Sequence, residues 1–329
     1  MNYIKMSPIT GMVGYGGGGT GLTLHAGSSA LWYGDRGLVF GGTVSASEID
    51  AIDYFDITST SNASDFGNLY QGIKYTSGTA STSSGRAFQC GGRKSGGAGT
   101  KRLEAITIST TGNSSNWGNL VTNSYRTATG SNGVRALVAN GLDVINNTAL
   151  DSVEYFDTTS STNGQDFGDL SQGKSGSAGC ADATRAVIGG GMTTSAYLDD
   201  IDYFTIATTG NAYDWGNLTN SKSYLAACSN GIRGLWAGGN PSTKVIQYIT
   251  FASTSNATTF GDLDVYEGNY GPCGLGNETR GVFAGGMDGN SDSTNIDYVT
   301  YQTTSNATDF GNLNEGKAES PGGASGNAS

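Results

Sequence analysis

The sequence predicts an all-β fold, a six-bladed β-propeller in which every blade is a four-stranded sheet. Three observations carry that prediction. A ten-residue phrase occurs six times at intervals of 51, 50, 48, 45 and 50 residues, counted between its aromatic residues. A second anchor, Arg followed by an apolar run and a Gly pair, also occurs six times, with Asn140 in place of one Gly in the third copy, and alternates with the first. The composition, with 54 Gly, 4 Pro and many Ser, Thr and Asn, suits short strands joined by tight turns. A period near 50 residues marks a propeller or another repeat array. Low-complexity disorder is the competing reading of such a composition, but a disordered chain has no reason to space its aromatics regularly.

The phrase reads "TSNASDFGNL" from Thr60, "TGNSSNWGNL" from Thr111, "STNGQDFGDL" from Ser161, "TGNAYDWGNL" from Thr209, "TSNATTFGDL" from Thr254 and "TSNATDFGNL" from Thr304. Its aromatic residues are Phe66, Trp117, Phe167, Trp215, Phe260 and Phe310. Asn stands four residues before each aromatic, Gly one after and Leu three after. The phrase is expected to form a turn and a short outer strand. Its Asn would bond nearby backbone or take the left-handed conformation, and its Gly would allow a close bend.

The second anchor begins at Arg36, Arg86, Arg135, Arg185, Arg233 and Arg280. Consecutive apolar residues follow each Arg, as in a strand covered on both faces. The next segment, for example "NIDYVTYQTT", alternates with period two as a third strand. A Tyr recurs there eight residues before the phrase Asn, with Ala105 in its place in the second copy. Small residues fill the stretch before each Arg, such as "YLAACSNG". Those stretches are expected innermost, where blades crowd the axis and large side chains clash. The tail "NEGKAESPGGASGNAS" aligns with "TNSKSYLAACSNGIRG", placing Lys317 opposite Lys222. It is expected to supply the innermost strand of the first blade and close the ring. The competing assignment gives that strand to residues 24–33.

Residues 1–28 lack the repeat and are expected to form a Gly-rich docking arm, with the propeller spanning 29–329. Met12, Tyr15, Trp32 and Tyr33 are its apolar anchors for a partner. "GYGGGGTG" in this segment lacks the Lys-Ser/Thr of a phosphate-cradling loop.

The net charge of −11 and scattered Lys and Arg argue against a nucleic-acid partner. No stretch reaches 18 apolar residues, so no membrane insertion is expected. Cys90, Cys180, Cys228 and Cys273 read as small buried side chains rather than a metal or disulfide framework. His25 is the one histidine, which leaves little material for a His-based metal site or a Ser-His-Asp triad. Asp65, Asp166, Asp214 and Asp309 recur before the aromatic, and that repetition argues for a turn-capping or Arg-pairing role over catalysis. The recurring Arg residues read as structural contacts between strands. No cofactor is expected.

The order of Gly pair, Tyr and then Trp or Phe resembles kelch repeats and galactose-oxidase-like propellers. The phrase "TSNATDFGNL" together with "TRGVFAGG" resembles repeats in virion-associated proteins of tailed bacteriophages, particularly marine and cyanobacterial ones. The resemblance covers about residues 30–329. It implies a non-enzymatic structural protein of a virion, tail- or fibre-associated or on the capsid surface. It would act as an interaction module in particle assembly and in recognition of host surface glycans. Its implied partners are other virion proteins, with self-association as a further expectation. The alternative is a carbohydrate-binding lectin or glycan-active propeller.

Overall fold

The computed structural model describes residues 32–264, 271–319 and 321–327. Six antiparallel four-stranded sheets surround one axis. From the inner to the outer edge, blade II runs Ser77–Ser81, Arg86–Cys90, Thr100–Thr107 and Ser115–Tyr125. Blade III runs Ala128–Ser131, Arg135–Ala139, Ser152–Asp157 and Gln165–Asp169. Blade IV runs Ala178–Ala181, Arg185–Gly189, Asp200–Thr205 and Tyr213–Asn217. Blade V runs Ala226–Ser229, Arg233–Ala237, Val245–Thr250 and Thr258–Asp262. Blade VI runs Cys273–Gly276, Arg280–Ala284, Asn295–Thr300 and Thr308–Asn312. Each Arg opens the second strand of its blade, and each phrase ends in the outer strand.

Blade I is made from both ends of the chain. Its inner strand is Gly322–Gly326, paired antiparallel to Arg36–Phe40, with Ala51–Asp56 and Ser64–Asn68 outside it. The C-terminal tail therefore closes the ring, and Arg36 pairs with Gly326. Closure removes the unpaired edge that an open array would present. The axis explains the small residues. A Cβ on Gly179 would stand 2.3 Å from the Thr129 carbonyl oxygen, and one on Gly274 would stand 2.2 Å from that of Ala227. Neighbouring inner strands touch backbone to backbone, with no room for a larger side chain.

Blade II departs from the four-strand pattern. Its outer strand runs on to Tyr125 and pairs with Leu142–Asp143, which makes a fifth strand. The core is not axial. It lies in six seams between adjacent blades, where the apolar runs of the second strands meet the phrase aromatics. Phe66, Trp117, Phe167, Trp215, Phe260 and Phe310 are all buried there. The four cysteines are buried and form no disulfide among the described residues.

Candidate functional site

The residues that recur are used in the seams. In all six, the phrase Asn accepts a hydrogen bond from a backbone N–H of the preceding blade's outer strand. Asn113 accepts from Asn68 at 3.0 Å, Asn256 from Asn217 at 3.0 Å, and Asn62 from Asn312 at 3.0 Å, which completes the circle. The same seams hold through Asn163, Asn211 and Asn306. The expected local turn bond is thus replaced by one between blades. A return bond runs beside each, such as Ala257 N–H to the Asn217 carbonyl at 2.8 Å. The phrase Gly is required by this approach: a Cβ on Gly261 would lie 2.1 Å from the Ser305 carbonyl oxygen.

The six Arg residues stack on aromatic rings and five of them donate across a seam. Arg36 lies over Tyr54 and donates to the Ile108 carbonyl at 2.8 Å. Arg135 lies over Tyr155 and donates to Ile206 at 3.0 Å. Arg185, Arg233 and Arg280 reach Phe251, Tyr301 and Ile57 in the same way. In the two blades whose phrase aromatic is Trp the Arg stacks on that ring, Arg86 over Trp117 at 4.8 Å and Arg185 over Trp215 at 5.0 Å from the centroid. The Arg stacking thus joins strands of one sheet, as expected, and the carbonyl bonds add a contact between blades. Among the repeated acids, Asp65, Asp166, Asp214 and Asp309 are exposed. Asp214 and Asp309 accept from the N–H groups of Gly216 and Gly311, which is turn capping.

A set of seam residues escaped the sequence reading. The third strand places Asp53, Glu104, Glu154, Asp202, Gln247 and Asp297 in one register position, all buried. Each accepts the backbone N–H of the residue after the phrase Leu of the preceding blade. The signal was present in "IDYF", "VEYF" and "IDYV", where a polar residue follows the first buried position of every copy. Burial raises the Asp297 carboxyl above its ordinary value, against the hydrogen bonds from Asn295 and the Asp264 N–H.

What remains for recognition is the axis and its two mouths. At one mouth, five blades contribute a residue with positive φ just before the inner strand: Tyr75, Arg126, Gly176, Tyr224 and Glu319. Their backbones form a collar. Tyr75 N–H donates to Glu319 at 2.9 Å, Arg126 to Tyr75 at 2.8 Å, Gly176 to Arg126 at 3.2 Å and Tyr224 to Gly176 at 2.6 Å. Tyr75, Tyr125 and Tyr224 cluster at this mouth with Leu142. The axial funnel below is narrow, with a cavity volume of about 70 Å³, and its walls include Thr76, Ser77, Thr127, Ser177 and inner-strand backbone.

The other mouth carries Trp32 and Tyr33. Both are half-buried over the ends of the inner strands, with their rings 5.3 Å apart and edge to face. The Trp32 indole donates to Ser229 at 3.3 Å. Burial, then the charge of Glu278, raises the Tyr33 hydroxyl above its ordinary value. These two anchors rest on the chain's own ring, whereas Met12 and Tyr15 lie outside the described residues. The structure thus brings Trp32 and Tyr33 together at the axis and gathers the repeat residues in the seams.

Comparison of the chain with known protein families and with curated proteins returned no match.

Proposed function

We propose that this chain is a non-enzymatic structural protein of a virion, tail- or fibre-associated or on the capsid surface. It works as an interaction module in particle assembly and in contact with host surface glycans. The observation that supports the reading is where the repeated and unrepeated residues fall. The repeated Asn, Arg, Gly and aromatic residues hold the ring together. The unrepeated ones decorate the face that carries the collar, because the second strands end there and the third strands begin there. The connecting loops share no phrase: "TVSASEID", "RKSGGAGT", "MTTSAYLDD" and "MDGNSDST". Ile145 and Tyr197 stand exposed in them. A closed rigid ring presenting dissimilar loops is a display scaffold, and conserved-geometry scaffolds with variable loops commonly carry binding. The phrase resemblance to tailed-phage virion proteins supplies the particle.

Fractionation of purified particles tests this reading. The chain is expected to co-purify at a fixed ratio to the major structural proteins. Recovery only in the soluble fraction of the lysate overturns it. A glycan array with the isolated chain then separates assembly from recognition. The second reading, a free-standing glycan-binding lectin, draws on the same exposed loop aromatics and would be favoured by glycan binding without particle association.

A further inference from the structure

The collar leaves two cations without carboxylate partners. The Arg126 guanidinium lies 5.1 Å from the ring centroid of Tyr75, 5.3 Å from that of Tyr125 and 4.9 Å from that of Tyr224. Among the described residues no hydrogen bond or ion pair holds it, and its Nε is buried without an acceptor. Arg93 stands 5.6 Å over the Tyr125 ring and has no ion pair among the described residues. Among the described residues, Glu319 and Glu48 are already engaged by Lys74. Lys74 binds Glu319 at 2.5 Å and Glu48 at 3.5 Å, and the Tyr75 hydroxyl donates to Glu319 at 2.7 Å. Among the described residues, Arg126 and Arg93 thus stand without ion pairs at one axial mouth of a chain whose net charge is −11.

A desolvated guanidinium N–H without an acceptor carries a cost that an arriving oxyanion relieves. Arg presents a planar fork of donors suited to two oxygens of one anion. The three rings cover its flanks and hold it in place. The funnel beside Arg126 is lined in part by the side chains of Thr76, Ser77, Thr127 and Ser177 and by inner-strand backbone, with Leu225, Pro272 and Pro321 among its apolar lining. One scaffold face therefore joins an unpaired cation to a cleft partly walled by hydroxyls.

We infer that this mouth binds the oxyanion of an acidic saccharide, a uronate or a sugar phosphate, with Arg126 as the anchoring cation. The inference rests on the interaction-module reading above and names the class of glycan that the module takes.

Titration calorimetry on the full chain tests it, with methyl glucuronide, glucose 6-phosphate, neutral methyl glucoside and inorganic phosphate as probes. The expected result is saturable binding of at least one acidic sugar, with the neutral glucoside at least about tenfold weaker. Arg126→Gly should weaken acidic-sugar binding roughly 10- to 100-fold, the range for a hydrogen bond to a charged group. That variant keeps the collar backbone permissible, because blade IV already has Gly176 at the same place with φ of 65°. Arg126→Gln, which keeps a long side chain without the charge, is read in the same way should the glycine variant fail to fold. Equal binding of the neutral sugar, no binding of either acidic sugar, or undiminished binding by these variants overturns the inference. Inorganic phosphate binding as tightly as both acidic sugars reduces the site to an ion site and overturns the saccharide assignment. Failure here leaves particle association untouched, since fractionation reads that separately.

Discussion

The seam between blades III and IV and the seam between blades IV and V share one design and differ in two charges, Asp200 and Asp202 of the first standing where the second has Val245 and Gln247. In the first, Lys174 has a fully buried side chain that binds Asp200 and reaches Asp202 at 2.9 Å. In the second, Lys222 occupies the equivalent place and is also buried, but the third-strand residue is Gln247, not an acid. Gln247 still accepts from the Thr219 N–H at 2.7 Å, while its Nε2 has no partner among the described residues. Burial lowers the Lys222 ammonium from 10.5 to about 8. The difference teaches that the amide-accepting role of the third-strand residue holds the seam, and that its charge matters only where a buried lysine faces it. Lys317 belongs to the first kind: burial lowers it, and Asp53, 3.8 Å away, opposes the shift.

Removing the counter-charge from the first seam should cost most. The double variant Asp200→Asn, Asp202→Asn leaves Lys174 buried and unpaired, and is expected to lose about 3–5 kcal/mol of stability in denaturant unfolding at neutral pH. A loss below about 1 kcal/mol would show that Lys174 escapes to solvent. The second seam should respond oppositely. Lys222→Met removes an uncompensated buried charge and is expected to raise stability by about 1 kcal/mol or more at pH 7, as apolar replacements of buried ions often do.

Gln247→Glu restores to the second seam one of the two acids of the first, the one equivalent to Asp202. It should move the Lys222 titration, followed by NMR of labelled lysine, from about 8 back toward 10.5. An unchanged titration would mean that residue 247 does not face the lysine. The parent protein should also show a pH signature. Between about 8 and 10.5 the unfolded lysine holds more proton than the folded one, so stability rises with pH across that window. Below about 8 both states are protonated and the penalty is present in full. The rise should be absent in Lys222→Met, and a falling curve attributable to Lys222 would contradict the assignment. The smallest effect belongs to the bond both seams share: Asn256→Ala removes one interblade hydrogen bond and should cost about 1 kcal/mol.

The architecture was legible because repetition samples one structural position six times. Spacing alone located the second strands at their Arg residues, the outer strands at the phrase, and the small innermost strands. The tail "SPGGASG" was readable as the closing strand because only small residues fit the axis, and the segment at Trp32 and Tyr33 was too bulky for it. The roles within the repeat were less legible. A phrase Asn looks like a turn residue in one dimension, and its partner, such as Asn68 for Asn113, lies 45 residues away in sequence. The third-strand acids alternate as ordinary polar residues, and nothing in "IDYF" says that its Asp faces a neighbouring blade. The collar was not visible at all, because Tyr75, Arg126, Gly176, Tyr224 and Glu319 share a backbone conformation but no residue type.

Sequence pattern settled how many blades there are, which segment is which strand, and which residues are too small to lie anywhere but the axis. Those are local properties, repeated until periodicity made them plain. Tertiary structure alone decided what the repeated polar groups bond, which lysine has a partner, and that three tyrosines from distant segments surround Arg126. The physical reason is that closing the ring joins residues a whole blade apart, up to Asn312 and Asn62 at its two ends. The desolvation that makes such contacts consequential exists only once the seams have formed.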